Sequence, residues 1–526
     1  ALPVITITHD NTLITESCRI RIAPGTIIPD PDNNGVIQIT KPDITIEFEQ
    51  SSILRGNIPA RQPDQFSGFG ITILNVSGVT IKNAHVQGFK VGLLANKAHR
   101  LFLDSGEYRN NFRQRLRSTP AAEDSADWLW PHANDGKEWR SNYGAAVCIE
   151  DSTAVRVRDI TVRETQNGII LDRVTDSRIF DNDCSFLSGW GIALWRSSSN
   201  IISRNACDFC IRGHSEGIYN RGQDSAGFLV FEQCNNNTFA QNSATHGGDG
   251  VFGFAGKEAI GEITPHDGKE IAYGKVGCNN NLLIDNDFSY ASAHGIEMTF
   301  SSGNRFIRNR IVENAICGVW GGYSNDTIIA ENHFEGNGGM AYGAERGAIN
   351  IEHGAGNRIQ GNTFLNNRCG VHLWWDDDKN LLDMPGVKAA NRDVADNLIA
   401  QNRFEINENH PFTSSRDKQT PLIALQLRDV GNFHVKGTRY IDNTTAFTNP
   451  LAKEFDITPP DLELIKEGKV DSLPKEAPAI EGVKHPVGAR SSLRGRANII
   501  MGEWGPWNHT APLVIPVTLT GAVHLF

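Results

Sequence analysis

No stretch of the 526-residue chain approaches the ~20 consecutive apolar residues of a membrane-spanning helix, so a membrane span is not expected. Basic charge is in short supply: Lys and Arg number 50 against 61 Asp and Glu, a net charge of −11. Surfaces held to nucleic acid by phosphate contacts carry clustered Lys and Arg, so a nucleic-acid partner is not expected either. Cysteine is sparse and odd in number, nine in all. Cys207 and Cys210 form one CxxC with no second pair at zinc spacing, so most thiols read as small core residues rather than a disulfide framework or metal set. The first residues, Ala-Leu-Pro-Val, lack an initiator Met, a basic region and an apolar leader, as in a mature exported chain. A secreted, periplasmic or cell-surface location is the expectation. Charged residues at 21% and hydrophobic residues at 39% exclude a disordered chain.

What the chain has is a repeat. From Gly168 onward, Gly, an apolar residue, any residue and a second apolar residue are followed by Asn-x-[Ile/Leu/Phe]-x-x-Asn. The Asn element recurs as Asn200-Ile-Ile202-Ser-Arg-Asn205, Asn281-Leu-Leu283-Ile-Asp-Asn286, Asn304-Arg-Phe306-Ile-Arg-Asn309 and Asn357-Arg-Ile359-Gln-Gly-Asn362, with weaker copies from Ser177 and Thr327. Several spacings (200 − 177, 304 − 281, 327 − 304) equal 23 residues. Apolar residues alternate over only three to five positions, which is strand periodicity, and nothing long enough for a crossover helix intervenes. Successive strands must therefore stack on their equivalents in the next unit, giving an all-β parallel β-helix with Asn ladders at its turns.

These Gly-Ile-x-Leu and Asn-x-Ile-x-x-Asn elements resemble those of the right-handed parallel β-helix repeat proteins, a superfamily that includes pectate lyases, polygalacturonases and alginate epimerases. The resemblance implies a β-helix over about residues 36–445 and a carbohydrate-related role. Residues 1–35 read as an N-terminal β cap, and 446–526 as a linker and a β-like extension, with Pro459, Pro460, Pro474 and Pro478 breaking the repeat.

Within the Gly-led strands, positions two and four should point inward and three and five outward. Counting in this way places Ala193, Trp195, Val230, Glu232, Phe252, Glu297, Trp320, Ile349, Ile351, His372 and Trp374 on the outer face. Aromatics and carboxylates on one exposed stripe point to a groove for sugar rings, whose C–H faces stack on aromatic planes; the alternative is that loops bury them. Insertions at about 111–142, 213–227 and 255–277 bring further candidates to the middle of the helix. The first carries Trp128 and Trp130, and the second His214, Glu216, Tyr219, Arg221 and Asp224.

Three chemistries remain open. Glycoside hydrolysis needs two carboxyl groups, for which Asp249 and Glu297 are the candidates, with Glu232 as a third that keeps one protonated and His246 alongside. His214, Glu216, Tyr219, Arg221, His294, Trp128, Trp130, Trp195, Trp320 and Trp374 would bind an oligo- or polysaccharide. Elimination or C5 epimerisation of a uronic acid would instead use Tyr219, Arg221, His246 and His294, although the acidic chain disfavours a polyanion. A non-catalytic glycan-binding β-helix is the third. No cofactor or metal is expected; Asp376, Asp377 and Asp378 read as a surface acidic loop rather than a Ca²⁺ site.

Overall fold

In the computed structural model, which describes residues 2–58, 60–340, 345–410, 422–488 and 490–510, the alternating segments form short strands that pair with the equivalent strand one coil away. One sheet of 16 strands runs from Val4–Thr6 to Arg439–Ile441, and a second of 15 from Thr12–Ile14 to Ala452–Thr458. A third of five strands, from Arg310–Val312 to Thr444–Phe447, completes the later coils. Pairing is parallel in all three. The fold is thus an all-β parallel β-helix with inserted loops.

Each inward column is a stack of apolar side chains. Val251, Ile296, Val319, Ile349 and Val371 lie in register on successive coils and are fully buried. A Gly opens most of the units, where the next coil comes close. A Cβ on Gly250 would lie 2.5 Å from the carbonyl oxygen of Gly295, and one on Gly295 would lie 2.7 Å from that of Gly318.

The Asn residues form ladders whose rungs report coil length directly. Asn182 donates through Nδ2 to Asn205 Oδ1, and the chain of amides continues through Asn242, Asn286, Asn309, Asn332, Asn362 and Asn402 to Asn443. The separations are 23, 37, 44, 23, 23, 30, 40 and 41 residues, so every increment above 23 is an insertion. Asn309 accepts from the N–H and Nδ2 of Asn286 and donates to Leu283 O and Asn332 Oδ1, all within 2.9–3.0 Å. Asn309→Ala leaves these buried partners unsatisfied and should cost about 3 kcal/mol or more. Urea denaturation checks this, and a variant as stable as the parent would deny the ladder its role.

The stack extends past both expected boundaries. Val4–Thr6, Thr12–Ile14 and Cys18–Arg21 already pair within the two large sheets, so there is no break in pairing at residue 35. At the other end Ala452–Thr458 pairs with Leu422–Asp429. Beyond it the chain runs back as a strap along the outside of the 16-stranded sheet. Glu476 binds Arg305, Glu481 binds Arg156, Arg490 binds Asp208 and Glu503 binds Arg115. The β-like run expected over 511–526 lies outside the described residues. All nine cysteines are free and buried, and no helix in the described residues is long and apolar enough to cross a membrane.

Candidate active site

The outer face of the 15-stranded sheet is set by register. Trp195 pairs with Phe231, Leu229 with Phe252, Phe252 with Glu297, Glu297 with Trp320, Trp320 with Asn350 and Asn350 with His372. Val230, Ile349 and Ile351 therefore face the core, contrary to the parity expected from sequence, and Leu229, Asn350 and Glu352 stand outside. A one-residue slip exchanges the two faces of a strand. In the coil of Gly347–Glu352 the slip has a physical source: Ala348 occupies the place of the column glycine, its carbonyl facing Gly318, while Gly347 precedes it as a decoy.

At the start of two adjacent outward strands, Asp249–Phe254 and His294–Thr299, the side chains of Asp249, His294 and Glu297 converge. One ligating atom from each lies within 4.8 Å of the others. The His294 N–H donates to Asp249 Oδ1 at 2.7 Å, and His294 Nε2 is 3.7 Å from Glu297 Oε2. Burial holds both carboxyl groups well above the usual carboxylate range, and Asp224 adds repulsion to each. Glu297 also feels Asp249 and Glu345, while the charge of Arg221 pulls the other way on both. Asp224 itself is pushed up by burial to about 7. His294 is pulled down by burial to about 3, so it is neutral.

Depth is graded across this cluster. The Arg221 and Glu345 side chains are 47% and 30% exposed at the rim, Glu297 is 18% exposed, and Asp249 at the floor is 4% exposed. Arg221 Nη2 lies 3.8 Å from Glu345 Oε2, and the half-buried Trp320 ring lies beside His294 with centroids 6.5 Å apart.

Asp224 is held here by unusual backbone. Gly222, Gln223 and Asp224 have φ of 62°, 54° and 56°, and two successive non-glycine residues in the left-handed region are strained. The inserted loop of the first long coil compensates. Gln223 O accepts the N–H of Leu129, Gln223 Nε2 donates to Ser118 Oγ, and Trp190 Nε1 donates to Asp224 O.

Other candidates are placed elsewhere. Glu232 follows the end of its strand, lies under Gly256 with its carboxylate accepting the N–H of Lys257, and sits 3.8 Å from Arg196. It is remote in the fold from Glu297; Asp224 and Glu345 take the place of the like-charged neighbour expected of it. His246 is buried beneath the returning strap, stacked between Phe209 and Tyr290 at 4.3 and 4.8 Å, and is not in the cluster. Trp195 is sealed by the inserted loop, against Trp139, and donates to Asp135. Trp374 is buried, donating to Asn350. Loop burial thus wins over the groove for Trp195, and Trp374 is buried as well. Trp128 donates to Glu123, and Trp130 is exposed beside Lys257. His214, Glu216 and Tyr219 line a separate cavity of about 1230 Å³ between 112–127, 213–219 and the strap at 499–503. There Tyr219 donates its hydroxyl to Thr119 O, and His214 Nε2 lies 3.3 Å from Glu216.

Glu345 was missed by sequence reasoning. Its signal is the coil of 30 residues between Asn332 and Asn362, seven longer than the repeat, which extends the chain over the site just before Gly347.

Residues 263–384 match the family described as right handed beta helix region, and residues 47–256 match the one described as periplasmic copper-binding protein (NosD). Among the described residues of 47–256 only Asp249 belongs to a group of three metal-ligating side chains, so that segment offers copper no such set. A mutant of the periplasmic alginate epimerase AlgG is similar in structure at 11% identity, covering 86% of this chain and 78% of that one, with a TM-score of 0.34. An Azotobacter vinelandii mannuronan C-5 epimerase A-module is similar at 11% identity over 86% and 92%, with a TM-score of 0.34. A GH136 lacto-N-biosidase from Eubacterium ramulus is similar at 9% identity over 85% and 63%, with a TM-score of 0.32. No curated protein matches the chain. Likeness this distant carries no argument about activity.

Proposed function

We propose that this chain, one of the right-handed parallel β-helix proteins, is a glycoside hydrolase that binds a neutral or weakly charged glycan at the rim of Arg221, Glu345 and Trp320. Glu297 and Asp249 cleave it. The observation that carries the reading is the pair itself: two carboxyl groups with oxygens within 4.8 Å, on adjacent coils, in unequal surroundings.

Asp249 accepts a backbone N–H, which favours its ionised form. Glu297 has no such donor among the described residues and faces Asp249, Asp224 and Glu345, so the shared proton is assigned to it. Glu297 then protonates the leaving glycosidic oxygen, and Asp249 attacks the anomeric carbon. The short separation fits the ~5–5.5 Å of double displacement rather than the ~6.5–9.5 Å that leaves room for an interposed water. In the second step Glu297, now ionised, takes a proton from the water that releases the sugar. Neutral His294 is placed to donate to a sugar hydroxyl, and the face of Trp320 offers a stacking plane.

Elimination is the less favoured chemistry because, among the described residues, Arg221 is the cation that faces this cluster, and one guanidinium shared with Glu345 is a weak counter-ion for a polyuronate. Action on a polymer would place the protein outside the cytoplasm, where its buried thiols are shielded. A panel of neutral and uronic glycans, read by reducing ends and by near-ultraviolet absorbance, tests the reading. New reducing ends without absorbance are expected. Absorbance from a C4=C5 double bond would replace hydrolysis by elimination, and unchanged glycans across the panel would leave binding alone.

A further inference from the structure

We propose that Glu352, His353 and Asp376 form a site for a first-row divalent cation of the Zn²⁺ or Mn²⁺ kind, two coils beyond the carboxylate pair and independent of it. One ligating atom from each of the three lies within 4.8 Å of the others. Glu352 ends the outward strand Gly347–Glu352, His353 begins the turn after it, and Asp376 follows Cys369–Trp375 on the next coil.

The imidazole carries the argument. His353 is completely buried as a side chain, stacked on Tyr323 at 4.7 Å and packed against the tilted ring of Trp375 at 5.4 Å. That packing aims Nε2 at Asp376 Oδ1, 3.2 Å away, and at Glu352 Oε1, 3.8 Å away. Its Nδ1 is buried with no hydrogen-bond partner among the described residues. If the proton sits on Nδ1, it has no acceptor among the described residues, and the Nε2 lone pair meets two carboxylates with only the long 3.5 Å N–H of Asp376 directed at it. If it sits on Nε2, Asp376 is served, and Glu352 meets it with no Lys or Arg between them among the described residues. Among the described residues no Lys or Arg pairs with Glu352, Asp376 or Asp378, and the only recorded neighbour of Asp377 is Lys379. A cation between Nε2 and the two oxygens satisfies all three groups together. Asp378, which accepts the Tyr323 hydroxyl at 3.2 Å, stands beside it.

Three carboxyl groups, Glu352, Asp376 and Asp378, gather around this imidazole and the Tyr323 hydroxyl, and a bound cation would offset their mutual repulsion. An imidazole among few ligands favours Zn²⁺ or Mn²⁺ over Ca²⁺, which takes six to eight oxygens. The cation would fasten the segment 376–392, whose helix Pro385–Ala390 lies over Lys257–Ile260, to the coil that carries Glu352.

Full-length protein freed of metal by chelation is titrated with Zn²⁺ or Mn²⁺ alone, following heat by calorimetry and the melting temperature. The expected result is one equivalent bound, with a raised melting temperature. Binding should weaken at least about tenfold in both Asp376→Asn and Glu352→Gln and stay unchanged in Glu297→Gln. Asp376 is partly exposed, so its variant keeps the fold, and an unchanged melting temperature of the metal-free variant verifies this. No binding by the parent overturns the proposal. So does binding lost in Glu297→Gln but kept in Asp376→Asn, or a preference for Ca²⁺. Absence of binding leaves the hydrolase reading intact, since that reading is judged by products.

Discussion

Glu297→Gln and Asp249→Asn each lower turnover by on the order of 10³-fold or more, while the protein remains folded to at least the parent's melting temperature at pH 8. The loss follows because one variant removes the proton donor and the other the attacking oxygen. The stability half of the result follows from linkage. Both carboxyl groups are held above their unfolded values by burial and by the repulsion of Asp224, and Glu297 also by Asp249. Groups raised in this way stabilise the fold fully only below their unfolded values, and that contribution is lost as pH rises through the folded ones. An amide cannot ionise, so the variants escape the loss at alkaline pH. Activity in the parent should fall on the alkaline side as Glu297 gives up its proton. Asp224→Asn removes one of the charges that keep it there, and should move that limb to lower pH by about one unit. Steady-state rates and melting curves across pH check these results together. A variant that loses activity only because it unfolds would remove Asp249 or Glu297 from the chemistry.

Arg196→Met destabilises the protein by about 3–5 kcal/mol, the largest loss expected at a position outside the site. Arg196 makes two bonds to Asp135 at 2.9 Å and two to Glu258 at 2.8 and 3.2 Å, with Glu232 3.8 Å away. Asp135 belongs to the insertion in the first long coil, which also carries Leu129, and Glu258 to the insertion after Asp249–Phe254; His266 of that second loop donates its N–H to Glu258. The guanidinium therefore ties both insertions to the strand of Trp190–Trp195. Removing it leaves Glu258 and Glu232 buried without their cation and Asp135 with Arg173 alone. Asp135, held down to about 2 chiefly by its bonds to Arg196 against burial, contributes stability above its unfolded value and loses it as pH falls through about 2. Since the first insertion also holds Gln223 and Asp224 in their strained backbone, activity should drop with stability. Denaturant titration gives the first effect and rates give the second. A loss under 1 kcal/mol would mean that the two insertions are held by their apolar contacts instead.

The fold was legible because one residue type recurs at one turn: the amide ladder from Asn182 to Asn443 is visible as a spacing before any coordinate exists. Glu297 was legible from strand parity, Asp249 from the glycine-rich turn Thr245–Gly250 and His294 from its place on the next coil, and the structure brings the three together. Parity fails wherever the counting residue is ambiguous, as Ala348 beside Gly347 showed for Ile349 and Ile351. His246 was beyond reach of local pattern, because what buries it includes a strap returning from the far end of the chain. The same holds for Trp195, whose outward position is real but whose exposure depends on how the loop around Trp139 packs. Glu345 shows that coil length deserved as much weight as composition, for seven extra residues are enough to bring a carboxylate over the site.

The central claim is that Asp249 and Glu297 act as a nucleophile and acid pair. Once the glycan panel has named a substrate, its 2-deoxy-2-fluoro glycoside with an activated leaving group traps a slow glycosyl-enzyme, and peptide mass spectrometry locates the sugar. The expected result is one sugar esterified to the peptide that contains Asp249, formed in the parent and absent from Asp249→Asn. Labelling of a different carboxylate, or turnover of the glycan with inversion at the anomeric carbon and no adduct, would contradict it.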